Sequence, residues 1–222
     1  MTAENQSDGF VDQRRIMVES QLYARGIRDE RVLAAMTHVP RHEFVSEQYR
    51  DQVYEDHPIP IGEGQTLSQP YIVAIMLEAL KLSPNDVVLE VGTGSGYQTA
   101  LLSELTRQVW SVERHPSLVR DARAILARLG CNNANVLLLD GSLGLPERAP
   151  FDAIVVSAAS PRIPPSLLDQ LHEFGRMVIP VGPAHAQELQ LVRKQADQVL
   201  FTSLEGCRFV PLIGEQGYRS GW

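Results

Sequence analysis

The segment that most limits what this chain can become is Val87-Val88-Leu89-Glu90-Val91-Gly92-Thr93-Gly94-Ser95-Gly96. Its first five residues read as a buried strand. The glycines behind them make a turn in which backbone can approach a ligand that a Cβ would block. Gln98 to Leu105 then reads as a helix. A strand, a glycine turn and a helix in this order belong to a parallel α/β sheet that takes a nucleotide-like ligand at its strand ends. The spacing narrows the ligand. A dinucleotide loop reads GxGxxG, whereas here the third glycine follows the first by four residues and residue 97 is Tyr.

The surrounding pattern supports such a sheet. A helix carrying Ile72, Ile75, Met76, Ala79 and Leu80 leads in, and strands are expected at Gln108–Glu113, Asn135–Leu139, Phe151–Ser157 and Arg176–Pro180. Helices are expected between them at Pro116–Leu129 and near Ser166–His172. Short apolar strands separated by helices imply a mostly parallel sheet with helices on both faces. Glu188–Arg193 and Val199–Val210 are separated only by Lys194 to Gln198, too few residues for a helical crossover. They predict a C-terminal antiparallel hairpin.

Upstream, Ile16, Met17, Leu22, Tyr23 and Ile27 have helical spacing with a stop at Arg25-Gly26, and Asp29 is placed to cap a second helix carrying Val32, Leu33 and Met36. These form an N-terminal helical extension. Residues 1–12 are polar and read as a loose arm; residues 13–222 read as one domain, divided into a helical part with a long loop (13–70), a ligand-binding βα core (71–186) and C-terminal strands (187–222). Tyr54 to Gln69, with Pro58, Pro60, Gly62 and Gly64, reads as an irregular functional loop.

Charge and cysteine content exclude several functions. With 27 acidic and 20 basic side chains the net charge is −7, contrary to the clustered Lys and Arg that nucleic acid or an anionic membrane needs. No apolar run approaches the roughly 18 residues of a membrane span. Glu4, Asn5, Gln6 and Asp8 with no apolar stretch after them give no secretory signal, so a cytoplasmic location is expected. Cys131 and Cys207 form neither a disulfide framework nor a metal-ligand spacing, and no His, Cys and carboxylate cluster predicts a metal.

Three acidic residues at strand ends refine the ligand. Glu90, two residues before the first glycine, would repel a phosphate and attract an ammonium group. Glu113 follows Gly92 by 21 residues, where a carboxylate takes ribose hydroxyls. Asp140 is expected to accept from an adenine amino group, with Gly141 leaving room for the ring. S-adenosyl-L-methionine has a ribose, an adenine and an ammonium group and no phosphate. Taken alone, each acid could instead be a solvated loop residue or a helix cap.

Pro58-Ile59-Pro60-Ile61-Gly62-Glu63-Gly64-Gln65-Thr66-Leu67-Ser68-Gln69-Pro70 precedes the helix leading into the sheet, so it can fold back over the ligand. Its Gly-x-Gly-Gln-Thr-Leu-Ser-Gln-Pro stretch resembles the protein-L-isoaspartate O-methyltransferase family. Val88 to Tyr97, Ser111 to Arg114, Ala149 to Ile154 and Arg208-Phe209-Val210-Pro211-Leu212 carry the same resemblance, from about Arg14 to the C-terminus. Two positions depart from the family pattern: Leu139 stands where Gly is usual, and Leu67 where Ile is usual. The resemblance implies a class I, Rossmann-like, S-adenosylmethionine-dependent methyltransferase (EC 2.1.1.77). Its product would be S-adenosyl-L-homocysteine and its acceptor the free α-carboxylate of isoaspartyl residues in damaged peptides and proteins. The methyl ester then closes to a succinimide, which begins repair.

On these matched positions the resemblance implies Ser68 as the catalytic residue. Gln65, Thr66, Leu67, Glu90, Gly92, Thr93, Gly94, Ser95, Gly96, Glu113, Asp140 and Gly141 would lie at the cofactor, and Thr66, Ser68 and Val210 at the peptide. A monomer is expected. Ser68 also has a plainer reading, as the cap of the helix that Pro70 opens. The acceptor carboxylate is already ionised at pH 7, so the chemistry needs alignment rather than a base. The six histidines form no recognisable dyad in sequence.

Two rival classes remain open at this level. One is a methyltransferase for a small molecule or nucleic acid; a DNA amino-methylating enzyme would carry an Asn/Asp-Pro-Pro-Tyr/Phe tetrad where Ser157-Ala158-Ala159-Ser160 stands. The other is a non-catalytic module that binds the cofactor, which labelled cofactor would separate by yielding no product.

Overall fold

The computed structural model describes residues 3–183, 185–196 and 198–219. Helix α1 (Ala3–Ile16) continues through a π-helical turn (Met17–Leu22) and a 3-10 turn (Tyr23–Arg25), and Gly26, at φ 107°, ends it in the left-handed region. The arm expected at residues 1–12 is thus corrected to helix from Ala3 onward; residues 1 and 2 lie outside the described residues. Phe10 anchors this polar stretch by stacking on His42, with ring centroids 4.2 Å apart. Helix α2 (Glu30–His38) starts where expected, with the Asp29 carboxylate accepting from Arg31 N at 2.9 Å and Val32 N at 3.2 Å.

The long loop is not wholly irregular. It contains a small antiparallel ribbon, β1 (Ile59–Gly62) and β2 (Gln65–Leu67), turned by Glu63 and Gly64 with φ of 52° and 68°. Two successive positive φ values make the tight turn whose twist matches antiparallel strands. Pro60 is tolerated because both strands of a two-stranded ribbon are edges.

Helix α3 (Pro70–Leu80) leads into the sheet, followed by β3 (Val87–Val91), α4 (Tyr97–Leu105), β4 (Gln108–Glu113), α5 (Pro116–Arg128) and β5 (Ala134–Leu138). After two 3-10 turns come β6 (Phe151–Val156), α6 (Pro165–Asp169), β7 (Leu171–Val181), β8 (Gln187–Gln195) and β9 (Gln198–Cys207). The sheet order is β5-β4-β3-β6-β7-β8-β9. Strands from β5 to β7 are parallel, and β8 and β9 add the expected antiparallel hairpin. Helix α6 is shorter than expected, and β7 begins at Leu171 rather than Arg176. Strand β9 stops before Arg208 because the chain leaves the sheet there: Val210 O accepts from Ala159 N at 2.8 Å, and Leu212 N donates to Ala159 O at 2.7 Å.

Alternation along β3 divides the core. Val88 packs with residues of α2, α3 and α4 on one face, and Leu89 and Val91 pack with Leu145, Phe151 and Leu167 on the other. Chain order reverses between β3 and β6, which makes their carboxyl ends the topological switch point where open α/β sheets bind ligands. Among the described residues, no helix is long and apolar enough to cross a membrane.

Candidate active site

The glycine turn sits on this switch point. Gly92, at φ 95°, donates from its N–H to Val112 O at 2.8 Å, and a Cβ on it would lie 3.5 Å from the Ser157 Cβ at the end of β6. Gly96, at φ 91°, is the left-handed N-cap of α4, and a Cβ there would come within 3.2 Å of the Ala122 Cβ. Both positions favour glycine because L side chains rarely adopt this φ.

Glu113 faces the cleft, 6% exposed, at the end of β4. Its Oε1 accepts from Arg114 N at 2.8 Å and His115 N at 3.0 Å, and its Oε2 accepts from Gly94 N at 3.0 Å. A carboxylate has about four lone-pair sites. The three backbone bonds leave one on Oε2, so a ribose would find one strong acceptor here rather than two.

Glu90 is placed differently from the sequence expectation. It shares the Val88 side of β3, is fully buried and lies outside the cleft lining. Its Oε2 accepts from Thr99 Oγ1 at 2.5 Å and Ser111 Oγ at 2.6 Å, and its Oε1 from Gln98 Nε2 at 3.4 Å. Burial pushes its carboxyl up to about 7 despite these donors. The direct contact with an ammonium group is corrected: Glu90 braces the glycine turn and α4 from behind. Strand register explains the network, because Ser111 is the β4 partner of Glu90.

Asp140 is half-buried in a smaller cavity beside the cleft, which shares Arg114 and Ile213 with it. Its Oδ1 accepts from Ser142 N at 2.9 Å and Ser142 Oγ at 2.7 Å, and its Oδ2 from Glu215 N at 2.9 Å. The carboxylate caps the 3-10 turn Gly141–Leu143 and ties the C-terminal segment to it, at the edge of the cleft rather than in its lining. Gly141 does line the cleft, and a Cβ on it would lie 2.5 Å from Val91 Cγ1, so this turn packs directly on β3.

The loop brings Gln65, Thr66, Leu67 and Ser68 over the same cleft, opposite Gly92, Thr93, Gly94, Ser95 and Glu113. Glu63 fastens the ribbon tip to the start of α5, accepting from Ser117 Oγ at 2.5 Å with His115 Nδ1 at 3.7 Å. Ser68 is half-buried and is not the cap of α3: the N-cap is Gln69, and the Tyr71 N–H donates to Asp56 Oδ1 at 3.1 Å. Among the described residues, no hydrogen bond holds the Ser68 hydroxyl, while its carbonyl accepts from Arg41 Nη2 at 2.7 Å.

A second cavity, about 560 Å³, opens beside the first, between the loop and Gly206–Val210. Thr66, Ser68, Ser157 and Val210 line both cavities. Among the described residues, the lining of the second contains His185 and Arg208 but no carboxylate. Of the residues expected at the site, Glu90, Gly96 and Asp140 stay outside the cleft lining. Sequence reading missed Tyr97, Gln98, Ser157, Asp56 and Arg41. Ser157 had a usable signal, since it follows the strand across the switch point from the glycine turn. Asp56 lies within the loop but no motif marks it, and Arg41 had no signal because only folding brings it to the loop.

The sequence profile described as Protein-L-isoaspartate(D-aspartate) O-methyltransferase (PCMT) matches residues 13–217. This chain belongs to that family. A protein-L-isoaspartate O-methyltransferase of Koribacter versatilis is 56% identical over 218 residues, covering 98% of each chain. One from Methanoculleus marisnigri is 55% identical over 214 residues, 96% of this chain and 97% of its own. A solved protein-L-isoaspartate O-methyltransferase superposes with a TM-score of 0.83 at 30% identity, over 92% of this chain and 67% of that one. Another, from Plasmodium falciparum and in complex with S-adenosyl-L-homocysteine, gives a TM-score of 0.77 at 27% identity over 89% and 96%. The family's fold is therefore present as expected, a class I methyltransferase sheet with an N-terminal helical extension and a C-terminal hairpin.

Proposed function

We propose that this chain methylates the free α-carboxylate of L-isoaspartyl residues in peptides and proteins, with S-adenosylmethionine as methyl donor. The observation that carries the reading is the Ser68 hydroxyl, bonded by none of the described residues, on the wall shared by the two cavities. One cavity has the features of a nucleoside site, and the other is open to a peptide.

The first cavity suits the donor by its chemistry. Among the described residues its lining offers a single carboxylate (Glu113) for a ribose hydroxyl, with Arg114 and His115 beside it, and Gly141 where a flat base needs room. Gln65, Thr66, Leu67 and the Gly92–Ser95 backbone would enclose the remainder. S-adenosylmethionine supplies an electrophilic methyl group on a sulfonium. The residues of this chain supply alignment. Ser68 Oγ donates a hydrogen bond to one oxygen of the acceptor carboxylate, leaving the other free to attack. Thr66 and Val210 bound the peptide on either side. No proton has to be removed, since the acceptor is ionised at pH 7. With His185 and Arg208 and no acid, the second cavity does not repel that anion. The proposed working unit is a monomer, with residues 13–222 as one domain.

The test is methyl transfer from labelled S-adenosylmethionine to an isoaspartyl peptide. A carboxyl methyl ester releases its label as methanol in mild alkali. Base-labile label in the peptide is the expected result; base-stable label, or label only in nucleic acid or a small molecule, would overturn the reading.

A further inference from the structure

We infer that Arg41 and Asp56 are positioning residues that keep the Ser68 hydroxyl free and aimed at the acceptor. The inference rests on the role given to Ser68 above. A serine just before a helix ordinarily folds its hydroxyl onto the first free N–H groups. Here that demand is met from outside the segment. Asp56 Oδ1 accepts from Tyr71 N at 3.1 Å, and Asp56 Oδ2 accepts from Gln69 Nε2 at 2.8 Å and pairs with Arg25. The Arg25 guanidinium in turn lies 3.4 Å from the Tyr71 ring centroid. With α3 capped by Asp56, the serine hydroxyl is not drawn into the helix.

Arg41 fixes the backbone that carries this hydroxyl. Its side chain is 0% exposed, so a permanent charge is desolvated and held by two of its three nitrogens, while Nη1 has no hydrogen-bond partner among the described residues. Nε donates to Val53 O at 2.7 Å, and Nη2 donates to Ser68 O at 2.7 Å. The guanidinium lies 4.8 Å from the centroid of Tyr97, the first residue of α4 and the next residue after the glycine turn. One rigid fork therefore connects the serine loop to the element that shapes the cofactor cleft. A lysine, with a single ammonium on a flexible stem, cannot hold the two carbonyls in the same fixed geometry.

A double-mutant cycle tests this. Arg41→Lys and Asp56→Ala are each expected to lower kcat about 10- to 100-fold, the scale of an ångström misplacement. The peptide KM and the cofactor Kd should stay within about twofold. In Asp56→Ala the orphaned Tyr71 N–H recruits the Ser68 hydroxyl; Asp56→Asn keeps a capping acceptor and should restore most of the rate. In a Ser68→Ala background the same substitutions should change kcat by less than about twofold, because they act through the missing hydroxyl. Additive losses, or a lowered melting temperature with kcat intact, would overturn the inference. Should Arg41→Lys not fold, the Asp56 pair gives the same readout. A fully active Ser68→Ala would refute the role of Ser68 itself, whereas an impaired Ser68→Ala with an additive cycle would refute only the part given to Arg41 and Asp56.

Discussion

Glu90 makes a pH-dependent stability prediction whose sign and size follow from its surroundings. The side chain is fully buried, and burial, with a smaller push from the Glu113 charge, raises its carboxyl from 4.5 to about 7, against the pull of Ser111, Thr99 and Gln98. The folded state therefore binds this proton more tightly than the unfolded chain. Between pH 4.5 and about 7 the native state holds more protons, so stability contributed at this site is full below pH 4.5 and is lost as pH rises through 7. At about 1.36 kcal/mol per pH unit, the loss is about 3 kcal/mol. Glu90→Gln keeps the shape and removes the charge. Thr99 and Ser111 can still donate to its carbonyl oxygen, and Gln98 can flip its amide, because its other partner, Ser157 Oγ at 2.9 Å, also serves as a donor. Urea unfolding of both proteins at pH 5 and pH 8 isolates the residue from every other titration. The variant should gain on the wild type by up to about 3 kcal/mol at pH 8, and the gain should shrink towards zero at pH 5. A difference that is the same at both pH values would refute the reasoning. One of opposite sign would mean that the donors outweigh burial.

Three further substitutions separate roles at the cleft. Glu113→Gln should weaken S-adenosylmethionine binding by about 1.5–3 kcal/mol, the scale of a hydrogen bond to a charged group; unchanged affinity by calorimetry would remove Glu113 from the site. Ser68→Ala should lose kcat on the order of a hundredfold with an unchanged melting temperature, because Asp56 is the cap. A variant destabilised by about 1 kcal/mol with intact kcat would instead make Ser68 the cap. Asp140→Ala should lose about 1 kcal/mol of stability through its cap on the turn after β5 and leave cofactor affinity in place. Weakened binding without a change in stability would return Asp140 to the adenine.

The βα core was legible because buried parallel strands are short apolar runs and their helices carry a 3.6-residue period; Val87–Val91 and Gln108–Glu113 are the clearest cases. The ribbon at Ile59–Leu67 was hidden by Pro60, Gly62 and Gly64, which read as irregular until Glu63 and Gly64 are seen to share a left-handed turn. The direction of Glu90 was readable in principle. Strand alternation puts it on the side of Val88, away from Leu89 and Val91, so proximity to the glycines did not imply a place in the cleft. The bond from Glu215 to Asp140 was hidden because the two residues lie 75 apart in sequence. Arg41 and Asp56 act on Ser68 through contacts 27 and up to 15 residues distant, which no local pattern encodes.

Substrate discrimination tests the central claim, that this cleft aligns one particular carboxylate with the methyl donor. Isoaspartyl and aspartyl peptides of one sequence carry the same charge and differ by a single methylene in where the free carboxylate sits. A site that holds the chain between Thr66 and Val210 and the carboxylate at Ser68 brings one isomer's oxygen into line. Displacement of the other by about 1 Å costs about a hundredfold in rate. The decisive measurement is kcat/KM for the twin peptides with the intact protein: the account predicts an isoaspartyl preference of about a hundredfold or more, and equal values for the two isomers would contradict it.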